Sequence, residues 1–197
     1  MAAITYWVDG ASGNNANDGK SYANRIQTMS QLATNIDADG RDNDFTVNVL
    51  NTTTYICEFW LSVDCGAGAG SAGSILVRGV SDSSATPAMV TVKPGVAGSQ
   101  YRFLWPRDFE VTIFENFVYD FRDFPSSAGT QRFFSVDGGQ STTGPEVRYC
   151  HFIGSRKFGS GDTPTPIDVD LDPYSTEDFC EAHGKIHHCV FENFPAS

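Results

Sequence analysis

The side chains whose type and spacing best suit chemistry are three aspartates in the segment 167–172. Asp168, Asp170 and Asp172 alternate there with apolar residues. Because neighbouring side chains point to opposite faces of a strand, a strand in this segment puts all three carboxylates on one face, roughly 7 Å apart. Such a row can bind calcium, or it can supply the acid and the base of glycoside hydrolysis. A solvated strand face or a long loop in an acidic protein is the simpler explanation.

A second oxygen-rich group lies near the N-terminus. Asp9, Asn14, Asn17 and Asp18 lie in one loop that ends at Gly19. Clustered carboxylate and amide oxygens can hold calcium, which prefers oxygen ligands, and no other cofactor is expected. An Asn/Asp/Gly turn that hydrogen-bonds to itself is the alternative. If the loop is a calcium site, EDTA should lower the melting temperature, because a ligand bound only by the native protein stabilises it.

Histidines and aromatic residues offer further candidates. His187 and His188 are adjacent within a strand pattern, which predicts that their rings point to opposite faces and do not chelate together. We therefore expect ordinary packing roles for these two and for His151 and His183. If the aromatic side chains in the middle of the chain are exposed, they would form a sugar-binding platform or a subunit interface. If they are buried, they would belong to the hydrophobic core. They are Tyr101, Phe103, Trp105, Phe109, Phe121 and Phe124.

Five cysteines, an odd number, include no CxxC pair. Zinc sites use closely spaced cysteine pairs, so this spacing does not indicate zinc. We expect buried free thiols made in a reducing compartment, with a disulfide as the open alternative. The cysteines are Cys57, Cys65, Cys150, Cys180 and Cys189.

Length, charge and hydropathy limit the classes of protein that fit. The 197 residues correspond to one large domain, and 13 lysines and arginines against 24 aspartates and glutamates give a net charge of −11. This acidity argues against a nucleic-acid-binding surface, which presents clustered cations. No run of apolar residues is long enough for membrane insertion. The N-terminus has no positive region followed by a long apolar run, so we expect no signal peptide and synthesis in the cytoplasm.

Strand patterns dominate the elements that must position these residues. β-Branched and aromatic residues alternate with polar ones in several short segments, and Gly/Ser/Asp/Pro clusters separate them. The segments are 45–50, 75–78, 89–92, 111–114, 132–136, 147–152 and 186–191. One segment has the helical period instead, with apolar residues at Ile26, Met29, Leu32, Ala33 and Ile36. The patterns predict an all-β chain with one short helix over 25–36.

Three strand segments form an internal repeat. They begin at Phe114, Val147 and Ile186, at offsets of 33 and 39 residues. Each has an apolar residue, a Phe or Cys three positions later, and an aromatic residue two positions beyond that. In a solenoid, equivalent side chains of successive coils stack and fill a continuous core. The side chains expected to point inward at one equivalent position are Phe117, Cys150 and Cys189.

The N-terminal segment carries three linked motifs: YWVDG at 6–10, SGNNANDG at 12–19, and QTM at 27–29, which opens the helix. Together they resemble the entry segment of pectate-lyase-like right-handed parallel β-helix proteins. The resemblance implies an all-β fold, a right-handed parallel β-helix with a short N-terminal capping helix. It also implies a single domain over 1–197, with the N-terminal strand, loop and capping helix in 1–40 and stacked coils in 41–197.

The resemblance leaves three classes of function open. The first is a structural or receptor-facing virion component, a spike, fibre or capsid-decorating protein that contacts glycans. It fits a chain with an initiator methionine, no export signal and no catalytic motif. The alternatives are a polysaccharide lyase or hydrolase and a non-catalytic carbohydrate-binding module, so enzymatic activity stays open. Uronate-eliminating enzymes of this family use a cationic base beside calcium-binding acids, and Arg148 is the candidate here, although no family catalytic motif surrounds it.

The C-terminal end of the sequence suggests a protein partner. The chain ends directly after its last strand pattern, so the last coil would expose apolar core and strand edges. We therefore expect a homo-oligomer, most simply a trimer about the solenoid axis, or docking on a larger viral assembly, and a covering segment outside the given sequence is the alternative. The contact faces are expected around 121–134, where aromatic residues cluster.

Overall fold

The computed structural model has one helix and seventeen strands in the part of the chain that it describes. The described residues are 2–40, 42–56, 58–59, 62–63, 73–93, 101–102, 105–106, 109, 111–120, 122, 131–135, 146–154, 164–168 and 185–192. The elements are β1 (Ala3–Val8), α1 (Met29–Asp39), β2 (Asp44–Leu50), β3 (Tyr55–Ile56), β4 (Glu58–Phe59), β5 (Ser62–Val63), β6 (Ser74–Val80), β7 (Val90–Lys93), β8 (Tyr101–Arg102), β9 (Trp105–Pro106), β10 (Val111–Glu115), β11 (Phe117–Asp120), β12 (Gln131–Ser135), β13 (Glu146–Arg148), β14 (His151–Ile153), β15 (Pro164–Asp168), β16 (Lys185–His187) and β17 (Val190–Glu192).

Two parallel sheets make up most of this structure. The first sheet has six strands in the order β1-β2-β6-β10-β13-β16, and the second has five in the order β17-β14-β11-β7-β3. Every strand pair within these two sheets is parallel. Three two-stranded pairs, β12 with β15, β4 with β8, and β5 with β9, are separate from them. Buried residues of both main sheets belong to one apolar cluster, so the two sheets share a core.

The predicted fold class was wrong. An all-β right-handed parallel β-helix was expected, whereas the described residues form a mixed arrangement of two parallel sheets and one helix, with no sheet that closes on itself or winds as a solenoid. Alternating apolar and polar residues specify strands that are buried on one face, but they do not specify how separate sheets are joined. The helix also contributes four buried side chains to the core itself.

The strand register confirms the internal repeat. In the first sheet Phe114 pairs with Val147, and Val147 pairs with Ile186. In the second sheet Tyr119, Phe152 and Phe191 are paired in the same way. These are the positions that the sequence alignment matched. Between the paired strands, Phe117 and Cys150 are buried and Cys189 is partly buried against the core, as predicted.

Aromatic rings stack along the core where equivalent positions of neighbouring strands meet. Tyr119 and Phe152 lie 5.1 Å apart with their ring planes 9° apart, and Phe152 and Phe191 lie 5.0 Å apart at 10°. These separations follow from the spacing of about 4.8 Å between hydrogen-bonded strands. A continuous stack therefore runs across three strands of the second sheet, and Phe152 is its central ring.

The helix begins later than predicted, at Met29 rather than at residue 25. The side chain of Thr28 accepts a hydrogen bond from the backbone N–H of Gln31, at 3.2 Å, and so caps the N-terminus. Gly40, with φ 83°, ends the helix at Asp39. Within the described ranges α1 is the only helix, and it is neither long nor apolar enough to cross a bilayer.

The loop after β1 covers the outer edge of that strand. The backbone N–H of Trp7 donates to the carbonyl of Gly19 at 2.8 Å, and the N–H of Ile26 donates to the carbonyl of Trp7 at 3.0 Å. Gly19 has φ 75°, and a Cβ there would lie 3.0 Å from Tyr6. A tight, positive-φ position beside a buried ring favours glycine. Both backbone groups of Trp7 at this edge of the first sheet are therefore paired within the chain.

Candidate functional site

A row of polar side chains crosses the first sheet on the face opposite the core. Its members occupy registered positions on five successive strands, while the residues on either side of most of them in sequence point inward. The members of this outer row are Asn48, Arg78, Glu115, Arg148 and His187. Arg148, the arginine that the sequence suggested as a catalytic base, lies in this row.

Charged hydrogen bonds link the outer row from strand to strand. Arg148 Nε donates to Glu115 Oε2 at 2.6 Å, and its Nη1 donates to Glu146 Oε1 at 2.7 Å. His187 Nε2 lies 3.1 Å from the same oxygen of Glu146. Arg148 therefore bridges two carboxylates, and these two hydrogen bonds fix the position of its guanidinium group on the sheet.

These contacts set the charge states of the row. Burial alone would raise the pKa of Glu146, but hydrogen bonds from His187 and Arg148 outweigh it and lower that pKa from its ordinary value. Glu115 in turn raises the pKa of Arg148. The acid of a glycoside hydrolase needs a raised pKa. Glu146 is therefore suited to accept hydrogen bonds rather than to donate a proton.

An exposed aromatic platform adjoins this end of the outer row. The ring of Tyr149 stacks on that of His188, with centroids 5.0 Å apart and planes 20° apart, and meets His187 edge-on at 6.4 Å. Both rings of this stack are exposed, and Tyr149 is 48% exposed. We call Glu146, Arg148, Tyr149, His187 and His188 together the Tyr149 patch.

Hydrogen bonding orients the two histidine rings. The Nδ1 atoms of His187 and His188 lie 2.7 Å apart. A carboxylate only accepts, so Nε2 of His187 carries the proton that points at Glu146, and in the neutral ring Nδ1 of His187 accepts from His188. The neutral His188 ring then keeps Nε2 as an acceptor. The prediction that the two rings point to opposite faces was wrong.

The reason lies in the backbone at the corner between the two sheets. Tyr149 has φ 54° and His188 has φ 56°, and Asn116 at the equivalent corner has φ 65°. These left-handed residues break the strand alternation, so neighbouring rings come together on one side. Asparagine tolerates this conformation, but it is uncommon for tyrosine and histidine. Strained residues of this kind concentrate at functional positions, which favours the Tyr149 patch as a site.

The N-terminal loop folds on itself around a buried carboxylate. Asp9 is 2% exposed, and its oxygens accept hydrogen bonds from Ser12 Oγ at 2.6 Å, Thr52 Oγ1 at 2.5 Å and Arg25 Nε at 2.6 Å. Burial would raise the pKa of Asp9, but these hydrogen bonds outweigh it and hold the pKa far below its usual value. Its charge is therefore balanced by Arg25.

The other residues of the expected calcium site also have protein partners. Asn14 Oδ1 accepts from the N–H of Ala16 at 3.0 Å, and Asp18 Oδ1 accepts from the N–H of Lys20 at 3.0 Å. Asn17 Nδ2 donates to a backbone carbonyl. Within the described ranges no three His, Cys, Asp or Glu side chains come together as metal ligands. The geometry is that of a self-bonded turn, and calcium binding at this loop stays a prediction.

Other expected site residues are only partly placed. Asp168 ends β15, whereas Asp170 and Asp172 lie outside the described residues. Phe109 is buried in the core, and Tyr101 and Trp105 lie in β8 and β9. The candidates outside the described residues also include Cys57, Cys65, Cys180, His183, Phe103, Phe121 and Phe124. The aspartate row therefore stays a prediction.

A shallow pocket of about 230 Å³ lies beside the N-terminus of α1, between Met29 and Tyr55. The Tyr55 hydroxyl accepts from the N–H of Gly10 at 2.9 Å and donates to the carbonyl of Leu50 at 3.1 Å. Burial raises the pKa of this phenol, which keeps it protonated. Small-molecule sites usually exceed about 300 Å³, so the exposed Tyr149 patch is the better candidate.

Two thiols lie side by side where β14 and β17 begin. Cys150 and Cys189 occupy equivalent positions, and both are free. A hydrogen bond from the Cys150 thiol lowers the pKa of Cys189 to about 6, although partial burial opposes it, and backbone hydrogen bonds add to the lowering. Hydrogen bonding to Cys189 and burial raise the pKa of Cys150. Cys189 is therefore the more acidic thiol of the pair.

We expect iodoacetamide at pH 7 to alkylate Cys189 at least tenfold faster than Cys150, because the thiolate is the reactive form. Peptide-level mass spectrometry follows each cysteine separately. Cys150→Ala removes the hydrogen-bond donor, so the labelling of Cys189 should slow toward that of an ordinary thiol. Equal rates at the two positions, or an unchanged rate at Cys189 in the variant, would contradict this assignment.

No family model matches the chain, and searches of curated proteins and of solved structures found no significant match. The resemblance to pectate-lyase-like proteins therefore rests on the N-terminal motifs, and it stays a prediction. What the chain does has to be argued from the geometry of its own surface.

Proposed function

We propose that the protein is a non-enzymatic, receptor-facing structural component, of the kind expected for a virion, and that its Tyr149 patch contacts a neutral glycan. The observation that carries this proposal is the exposed stack of Tyr149 on His188 beside a fixed row of paired charges. The stack places two exposed aromatic rings at the surface. Hydrogen-bonding groups border it on the same surface.

This combination suits a sugar ring. The C–H face of a pyranose carries partial positive charge and packs on the negative face of an aromatic ring. Hydroxyl groups at the rim of the sugar can donate to the carboxylate of Glu146 and can hydrogen-bond with the ring nitrogens of His188. Because these groups are held by strands and by one another, binding orders few side chains.

The charge of the protein favours an uncharged ligand. A net charge of −11 repels acidic polysaccharides at long range. Arg148, the cation of the patch, already binds Glu115 and Glu146. A carboxylated sugar would have to displace one of them. A neutral glycan meets neither obstacle.

An array of neutral and acidic oligosaccharides tests the proposal, with Tyr149→Asn as the variant. Asparagine keeps the left-handed backbone that Asn116 shows at the equivalent corner, and it removes the ring. We expect the wild type to bind neutral glycans and the variant to bind at least tenfold more weakly, a loss of about 1.4 kcal/mol. Ile56→Ala, which removes an exposed apolar side chain from β3, should bind as the wild type does. Absence of binding, or equal binding by Tyr149→Asn, would overturn the proposal.

An assay for reaction products tests the enzymatic alternative, a polysaccharide lyase or hydrolase. Its candidates are Arg148 and the row of Asp168, Asp170 and Asp172. Release of reducing ends or unsaturated sugars, abolished by Arg148→Gln, would establish it and would overturn the non-enzymatic proposal. A non-catalytic carbohydrate-binding module would bind glycans through the same Tyr149 patch, but it would not be part of a larger assembly. Self-association, or docking on a viral assembly, remains part of the proposal.

A further inference from the structure

The last strands of both sheets leave apolar core positions exposed. Within the described part of the chain, β16 ends the first sheet and β17 ends the second, on the same side of the molecule. Ile186 is 51% exposed and Phe191 is 49% exposed, although Val147 and Phe152, their neighbours in the same registered rows, are buried. The core therefore continues to this end of the sheets, where two strand edges are presented.

The residue types in the segment 185–192 are arranged with partial symmetry about its midpoint, between residues 188 and 189. A corner with the left-handed residue His188 joins its two three-residue strands, and the central residue of each strand is registered with a buried residue of the neighbouring strand. Two of the residue pairs at equal distances from the corner are complementary. Lys185 and Glu192 have opposite charges, and Ile186 and Phe191 are both apolar.

We propose that a second copy of the chain covers this end, related by a two-fold axis through the corner of 185–192. With such an axis, β16 of each copy lies antiparallel to β17 of the other copy, so the interface contains two equivalent strand pairs. Lys185 then lies opposite Glu192 of the partner subunit, and Ile186 opposite Phe191 of the partner subunit. Each strand edge gains a hydrogen-bonding partner, and the exposed apolar side chains meet each other.

The charges of the segment 185–192 favour a second copy of the chain over an unrelated protein as the partner. The chain as a whole carries −11, yet the segment 185–192 contains one lysine and one glutamate, so the charges of these two side chains balance. Two copies that meet here avoid the repulsion that the remaining surface would cause. An isologous contact makes both Lys185–Glu192 pairs attractive at once, which is how a two-fold interface complements itself.

A charge-swap experiment tests this arrangement by sedimentation over a range of protein concentrations. We expect the wild type to associate to twice its mass of 21.4 kDa. Each single variant, Lys185→Glu or Glu192→Lys, creates two pairs of like charges across the interface. Because these charges repel, each variant alone should dimerise at least tenfold more weakly than the wild type. An equimolar mixture of the two variants, and the double variant Lys185→Glu/Glu192→Lys, restore opposite charges and should dimerise as the wild type does.

The mixture distinguishes loss of the interface from a folding defect, because a misfolded variant would not recover on mixing. Glu192 also lies 3.0 Å from His151 Nε2 within its own chain. His151→Gln removes that contact alone and should leave the dimer intact. A monomeric wild type, single variants that dimerise normally, or a trimer that the swaps leave unchanged would each overturn the proposal. Tyr149→Asn should still dimerise, which separates this test from that of the proposed function.

Discussion

Asp9→Ala is expected to lower the free energy of unfolding by about 3 kcal/mol. Removing one partner of a buried ion pair costs about 3–5 kcal/mol, because the other charge is left without compensation. The lower end of that range applies here, since Arg25 is 23% exposed and water can solvate part of its charge. Ser12 and Thr52 lose an acceptor as well.

Urea denaturation of Asp9→Ala and of Asp82→Ala measures this effect against a matched control. Asp82 accepts hydrogen bonds from Ser84 and Thr86 in a similar turn, but it is partly exposed to water. Water replaces those bonds, so Asp82→Ala should change the denaturation midpoint little. Equal shifts in the two variants would show that the burial of Asp9 does not matter to stability.

The pH dependence provides a second test of the same residue. The pKa of Asp9 is lower in the folded protein than its unfolded value of about 3.9, so its contribution to stability is complete above that value and is lost as the pH falls below it. The difference in melting temperature between the wild type and Asp9→Asn should therefore be constant from pH 7 to about pH 5 and shrink below about pH 4. A difference that does not change with pH would contradict the lowered pKa.

Periodic features of the fold were predictable from the sequence. The repeat that begins at Phe114, Val147 and Ile186 was visible because side chains of the same kind recur at equivalent strand positions, and the register reproduces it. The arrangement of the sheets was not predictable. Strand alternation reports which face is buried, whereas three connections between the two sheets depend on corners with left-handed residues, which alternation does not reveal.

The candidate site was predicted less well than the fold. Arg148 was singled out, but its link to Glu115 and Glu146 depends on register between distant strands. The left-handed corners at Tyr149 and His188 were missed, because those residue types rarely adopt positive φ. The sequence held one signal for them. Asn116, a residue that tolerates this conformation, stands at the equivalent position of the preceding repeat.

Phe152→Ala is expected to have the largest effect on stability, lowering the free energy of unfolding by about 3–5 kcal/mol. Phe152 is fully buried and stacks on Tyr119 and on Phe191, so the substitution leaves a cavity between two rings whose backbones are fixed by strand pairing. Because parallel strands hold these rings about one strand spacing from the missing one, the cavity cannot collapse readily. Ile56→Ala on β3 of the same sheet removes an exposed side chain and should cost less than about 0.5 kcal/mol. Denaturation of both variants by urea tests the stack, and equal costs for Phe152→Ala and Ile56→Ala would show that the ring at 152 does not fill the core.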